Sequence, residues 1–382
     1  MRIRFVCMSL LLASAGIVLA ATPPPALPPD KLTVETLGPP KPHWAYVLDA
    51  SFENEIDSRV YVFDGDSYRR LGQIDAGFVA SVAISPDRRT TAVATTYFSR
   101  GGHGKRTDVI ELTDNHTLAI TREIVLPPKR SQTVAMFHNV NFSPDGRFLY
   151  AAYVTPGASF GVVDVANGRV LGEIDTGGCF LVIPFAAGVS SLCGNGRLLS
   201  VTMNAQGRET SRAMSEPFFD PERDPVFSQG VPISDGMAFI SFLGEVHEVS
   251  LTGRAPTFRP VWSLVTGADR GQWRPGGQQI GAYHRGQKRL YVPMHRGGEG
   301  THKTSGTEIW VFDMTTHQRI ARWQVDQKQM APVLALQVSQ DSAPVLFAAT
   351  DDAQLAVLDA QTGRIKHVEA EFGQTPWAIL NP

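Results

Sequence analysis

An all-β, seven-bladed β-propeller, its ring closed by a C-terminal strand that joins the first blade, is the fold this sequence predicts. Three observations predict it. From Trp44 onward, short runs of β-branched, aromatic and aliphatic residues alternate with turn clusters, and no long amphipathic helix intervenes. The runs recur in similar four-strand units of about 40–50 residues, the period of propeller blades. The first unit is one strand short, and the C-terminus carries one strand without partners.

The units follow in order. Ser81 to Asp87 opens one, continued by runs at Thr90–Phe98, Arg106–Leu112 and Ile120–Leu126. Val140 to Gly146 opens the next, continued at Phe148–Thr155, Ser159–Val165 and Val170–Ile174. Both openings carry Ser-Pro-Asp, a turn signal in which proline presets the backbone, and Val338-Ser-Gln-Asp341 is a looser copy. Third strands end on an apolar pair before aspartate, at Val62-Phe-Asp64, Val162-Val-Asp164, Val311-Phe-Asp313 and Val357-Leu-Asp359. Further openings fall near Phe180, Val231, Gln279 and Leu334. The partial first unit has runs at Trp44–Leu48, Arg59–Phe63 and Arg69–Ile74 but no innermost strand, and Pro376-Trp-Ala-Ile-Leu380 is placed to supply it. Closure of this kind leaves only short sheet edges. A two-domain β-sandwich is the alternative, and it accounts poorly for the period.

Residues 1–20 read as a secretory signal: Arg2 and Arg4, an uncharged apolar run from Phe5, and small residues up to Ala20. An N-terminal anchor helix is the alternative, but the run is short for a membrane span. Residues 21–42 form a Pro-rich arm, and the propeller occupies 43–382. Removal of the signal takes the formal charge from −2 to −4, because it holds two positive and no negative residues. No basic stripe marks a nucleic-acid surface, and no second long apolar run suggests membrane insertion. Cys7 leaves with the signal, so the mature chain keeps Cys179 and Cys193. An even count in an exported protein favours a disulfide over two buried thiols.

Catalytic motifs are missing. The sequence has no Gly-rich phosphate loop after a strand, no His-Glu-x-x-His, no Cys-x-x-Cys and no Gly-x-Ser-x-Gly. The ten histidines are scattered. His295 and His302 flank a Gly-rich stretch that reads as a solvated blade-connecting loop in preference to a metal site. Asp351-Asp352 reads as a turn, and Phe218-Phe-Asp-Pro-Glu222 as loop packing.

Several stretches together resemble one family. Trp273-Arg-Pro-Gly-Gly277, Gln279 and Ala282-Tyr-His284 look like a segment of the large subunit of the quinone-dependent methylamine and aromatic amine dehydrogenases. Tyr97-Phe-Ser-Arg100, Gly104-Lys-Arg-Thr-Asp108, the two cysteines and His302-Lys303 fit the same order. The stretch from Pro42 to Asp64 looks closer to the aromatic branch. The likeness runs from about Pro40 to the C-terminus and is weakest at Ala186–Ser190 and over the last thirty residues.

The resemblance implies a periplasmic assembly of two large and two small subunits. Tryptophan tryptophylquinone would be built from two tryptophans of the small subunit. Primary amines would be oxidised to aldehyde and ammonia, with electrons leaving to a blue-copper protein such as azurin or amicyanin. This chain would then hold no catalytic, cofactor-binding or metal-ligating residue of its own, since the quinone supplies the chemistry. Its tryptophans, Trp273 included, would be core and interface residues. Cys179 and Cys193 match the family's large-subunit disulfide, and Phe52 falls where the family places a phenylalanine at the mouth of the substrate channel. Two other readings remain: a lone propeller enzyme with a metal in its central channel, and a non-catalytic docking propeller of the cell envelope.

Overall fold

The computed structural model describes residues 35–50, 53, 55–131, 136–253, 255–325 and 328–382. The expected signal segment and most of the arm lie outside them, as does Phe52. Residues 36–382 form one compact unit built of seven antiparallel sheets. The only helices among the described residues are two short 3-10 turns.

Blade 1 contains Trp44–Asp49, Ser58–Asp64 and Arg69–Gly77, with Pro376–Leu380 as its innermost strand. Chain closure is therefore as the sequence predicts. Blade 2 runs Ser81–Ile84, Thr90–Arg100, His103–Asp114 and Ile120–Leu126; blade 3 runs Val140–Phe142, Phe148–Tyr153, Ser159–Asp164 and Arg169–Asp175. Blade 4 is Cys179–Phe185, Gly188–Cys193, Leu198–Met203 and Glu209–Met214. In blade 5, Val231–Ile233, Gly236–Ile240 and Glu245–Ser250 are followed by an outer strand broken into Thr257–Phe258 and Trp262–Ser263. Blade 7 is Val333–Val338, Val345–Thr350, Leu355–Asp359 and Ile365–Glu369.

Blade 6 corrects one expectation. Its inner strand opens at Trp273 and not near Gln279. It is split into Trp273–Pro275 and Ala282–His284, both paired with Arg289–Arg296. Between the halves the backbone leaves its own sheet and bonds to blade 7: Gln278 N–H donates to Leu334 O at 2.7 Å, and Leu336 N–H to Gln279 O at 3.2 Å.

The repeated residues have repeated jobs. In blades 2, 3 and 7 a serine hydroxyl donates to the aspartate two residues on, Ser85 to Asp87 at 2.6 Å, Ser143 to Asp145 at 2.5 Å and Ser339 to Asp341 at 2.7 Å. The same hydroxyls accept the N–H of Thr90, Phe148 and Val345, which locks the hairpin from first to second strand. The aspartates ending the third strands accept turn N–H groups: Asp164 from Asn167 at 3.0 Å, Asp313 from Thr315 at 2.7 Å, Asp359 from Thr362 at 2.9 Å. Side-chain donation from Asn167 to Asp164 and from Thr362 to Asp359, together with these backbone bonds, favours the ionised carboxylates and holds all three below the usual aspartate range.

The core lies between the blades. Ala45, Val47 and Phe63 of blade 1 pack on Phe347, Val357 and Phe372 of the blade 7 side. Burial of each large apolar side chain contributes about 1.5–3 kcal/mol. Cys179 and Cys193 face each other across the first two strands of blade 4 and form a disulfide. Phe218 contacts Phe219, Phe239, Phe258 and His247, the packing expected of that loop.

Candidate functional site

One end of the ring carries the loops between second and third strands and those that lead from each blade to the next. The loop of residues 50–57, which holds Phe52, belongs to this end. Phe52 itself is not among the described residues, but the framework on both sides of its loop is.

On the blade 7 side, the framework is a carboxylate clamp. Asp49 is 3% exposed and accepts the N–H of Gln374 at 2.9 Å and of Thr375 at 2.6 Å. Ala50 N–H donates to Thr375 O at 3.1 Å, and Ser58 Oγ donates to Ala50 O at 3.3 Å. Arg59 donates twice to Asp57, at 3.0 and 2.6 Å.

On the blade 2 side, the framework is a buried ionic network. Asp108, fully buried, accepts Arg106 Nε at 2.8 Å, Arg106 Nη2 at 2.6 Å, Thr96 Oγ1 at 2.8 Å and the N–H of Arg130 at 2.9 Å. Arg130, 2% exposed, spends its guanidinium on carbonyls, Val79 O at 2.9 Å, Phe78 O at 2.8 Å and Ser131 O at 3.0 Å. Val79 N–H in turn donates to Glu55 O at 3.1 Å. A continuous bonded path thus runs from the core of blade 2 to the 50–57 loop. Burial pushes Arg130 down to about 10, so it remains charged at neutral pH, and Asp108 supports that charge.

Apolar surface lies beside this framework. The strands Thr90–Arg100 and His103–Asp114 are the longest of the described residues. On them Tyr97 is 40% exposed, and Ile56 of the loop is 44% exposed. Phe78 and Phe98 meet edge to face at 5.5 Å. The Tyr97 hydroxyl donates to Glu111 at 2.9 Å, and burial raises the Glu111 carboxyl above its ordinary value.

The other stretches singled out in the sequence have structural roles. Trp273 and Trp310 are buried at 5.3 Å, with Arg322 over both rings at 4.7 Å. His295 corrects a second expectation. It lies on the strand Arg289–Arg296 and is 1% exposed, so it is a core residue and not part of a solvated loop. His302 stacks on Phe242 at 4.0 Å, and Lys303 Nζ approaches Gln278 Oε1 at 3.4 Å. Among the described residues no three His, Cys, Asp or Glu side chains gather as a metal site, and no helix is long and apolar enough to cross a membrane. Sequence reasoning missed Asp49, Arg130 and Gln279 as anchors. Gly104–Asp108, Gln279 and Asp49 stood among the family-like stretches without their anchoring bonds being legible there, and Arg130 carried no signal at all.

Fold and framework together define a closed seven-bladed β-propeller in which both sides of one rim loop are anchored by buried hydrogen bonds. Comparison with known proteins narrows the class. The methylamine dehydrogenase heavy chain profile matches residues 42–381, and the chain belongs to that family. The methylamine dehydrogenase heavy chain of Methylobacillus flagellatus is 26% identical over 358 residues, 92% of this chain and 88% of the relative. That of Methylorubrum extorquens is 27% identical, over 85% of this chain and 79% of the relative. That of Paracoccus versutus is 29% identical, over 84% and 75%. Among solved structures, dihydro-heme d1 dehydrogenase NirN in complex with DHE matches with a TM-score of 0.54 at 16% identity, over 88% of this chain and 65% of that one. That likeness concerns the fold alone.

Proposed function

We propose that this chain is the large, non-cofactor-bearing subunit of a periplasmic quinoprotein amine dehydrogenase. It oxidises primary amines, aromatic or aralkyl ones by preference, to aldehyde and ammonia, together with a small subunit in a two-plus-two assembly. Tryptophan tryptophylquinone on the small subunit supplies the electron sink for amine oxidation, and a blue-copper protein accepts the electrons. The observation that carries this reading is the family match over residues 42–381. The cross-strand disulfide is compatible with an exported chain. The deep packing of Trp273 and Trp310 suits tryptophans that serve the core.

In this reading the chain's own residues position and restrict. Asp49 and the Asp108–Arg130 network hold the base of the 50–57 loop, and Phe52 on that loop walls the substrate path. Methylamine is the competing substrate, favoured by the names of the relatives. Both alternatives are separated by Phe52→Ala in the assembled protein, with kcat/KM measured for methylamine, phenylethylamine and tryptamine. Loss of an apolar wall should alter the ratios by about 10–200-fold, the range per methylene-sized misfit. An unchanged ranking with a large fall in melting temperature would make Phe52 a packing residue, since truncating a core phenylalanine costs about 3–5 kcal/mol.

A further inference from the structure

A cavity of about 400 Å3 lies on the ring axis and is lined by every blade except the fourth. Its mouth is at the end where Leu380 lies level with Tyr46. The 50–57 loop follows Asp49 at the other end of the same strand pair. Arg88 and Arg285 therefore stand at the opposite end from that loop, in the mouth formed by hairpins joining first and second strands.

The side-chain charge of its lining is one-sided. Arg88 and Arg285 line it, and no Asp or Glu side chain does. Burial pushes His138 down to about 4, so that ring is neutral. Wall amides are already engaged: Gln340 Nε2 donates to Tyr283 O at 3.0 Å, and Gln337 Nε2 to Ile379 O at 3.3 Å. Asp87, beside Arg88, is taken up by Ser85 Oγ at 2.6 Å and Arg89 N–H at 3.1 Å. Neither guanidinium has a hydrogen bond or ion pair among the described residues, and neither is paired with Pro382, which lines the same wall.

Arg88 is also placed at a conformational cost. Ser85-Pro-Asp-Arg88 repeats the turn Ser143-Pro-Asp-Gly146, with the fourth N–H donating to the serine carbonyl at 2.8 Å in both. The fourth residue has φ 65° in one and 72° in the other. Glycine adopts this left-handed conformation freely, and a residue with a Cβ does not. Blade 3 uses the relaxed residue. Blade 2 accepts strain to set an arginine at the cavity mouth, and such strain concentrates at functional positions. Arg285 stands on the corresponding hairpin of blade 6, where His284 Nδ1 accepts the Gln287 N–H at 2.9 Å.

We propose that this channel mouth binds a small, multiply charged oxyanion, a phosphate or a polycarboxylate, through Arg88 and Arg285. The volume falls within the about 300–1,000 Å3 typical of ligand pockets, and guanidinium forks match both oxyanions. The test is calorimetric titration of the full chain, in the assembly in which it purifies, with inorganic phosphate and with citrate. Sodium chloride at equal ionic strength is the control. A saturable site is expected, and the tighter of the two probes identifies the oxyanion. Arg88→Gly and Arg285→Gln should each weaken binding about tenfold or more, the loss of a charged hydrogen bond. Arg88→Gly copies the blade 3 turn, so its melting temperature should equal or exceed that of the native protein. Absence of saturable binding by either probe would overturn the proposal. So would binding that both substitutions leave unchanged, or weakening that only follows a loss of folded protein. The readout is binding alone, so the result stands apart from any outcome with amines.

Discussion

Removing the Gln279 side chain should loosen the ring where the chain ends meet. Pro376–Leu380 is the innermost strand of blade 1, and its ladder with Trp44–Asp49 leaves the opposite edge of the strand without a strand partner. Gln279, 5% exposed, covers that edge from blade 6: its Oε1 accepts the Ile379 N–H at 2.8 Å, and its Nε2 donates to Ile379 O at 3.1 Å. The amide thus imitates a neighbouring strand. In Gln279→Ala the Ile379 N–H loses its partner in a site where Ile379 is fully buried, while the carbonyl keeps Gln337 Nε2 at 3.3 Å. An unsatisfied buried donor costs about 1–3 kcal/mol and each lost hydrogen bond about 0.5–1.5 kcal/mol, which together give about 2–4 kcal/mol. Gln337→Ala removes only the longer bond and should cost about 1 kcal/mol. Urea unfolding gives both values, provided that the slope with denaturant is unchanged. Amide exchange at Ile379 should accelerate in the first variant by the same free energy. A Gln279→Ala protein within about 0.5 kcal/mol of the native one, with Ile379 still protected, would show that the Gln279 amide does not hold the closing strand, because surface-like substitutions fall in that range.

Opening the Cys179–Cys193 bond, by reduction or by replacing both cysteines with alanine, should cost about 3 kcal/mol for a loop of about 15 residues, read as a shift of the urea midpoint. No shift would mean that blade 4 holds its hairpin without the bond. Glu111→Gln should change the pH dependence of stability. Burial is the main cause that raises the Glu111 carboxyl above its ordinary value of 4.5, with Glu123 and Asp75 adding to it and the Tyr97 hydroxyl opposing. The folded state favours the protonated acid, so this contribution is complete below the ordinary value and is lost as pH rises through the raised one. The glutamine variant should therefore gain on the native protein with rising pH across that window. Parallel curves of unfolding free energy against pH would count against a raised Glu111.

The blades were legible because each repeats a local solution. Ser-Pro-Asp and the aspartates after the third strands satisfy turn N–H groups within a few residues, so their function can be read along the chain. The missing inner strand and the orphan Pro376–Leu380 were legible for a different reason: both are strand patterns, and only one partner was vacant. Gln279 was misread because its motif marks a departure from the blade 6 sheet and not the start of a strand. Its partners are 55 to 100 residues away in blades 7 and 1. The bonding roles of Arg130 and Asp49 were invisible for the same reason. A buried guanidinium that bonds to Val79 O, 51 residues back, leaves no periodic trace. The stretch Gly104–Asp108 was noticed only through likeness to a family, and its physical meaning emerged with the fold. Phe52 carries no local signature that distinguishes a channel wall from core packing, which is why the role proposed for it rests on resemblance.

Under the proposed function, this propeller supports amine oxidation only together with a quinone-bearing small subunit. The most direct measurement is amine-dependent dye reduction by the chain purified with its co-expressed small subunit, beside the chain purified alone, using tryptamine, phenylethylamine and methylamine. Quinone absorbance and turnover are expected in the assembled protein, with the aromatic amines preferred, and neither absorbance nor turnover in the chain alone. Turnover by the isolated chain, or an assembled protein inert to every primary amine, would contradict the proposed function.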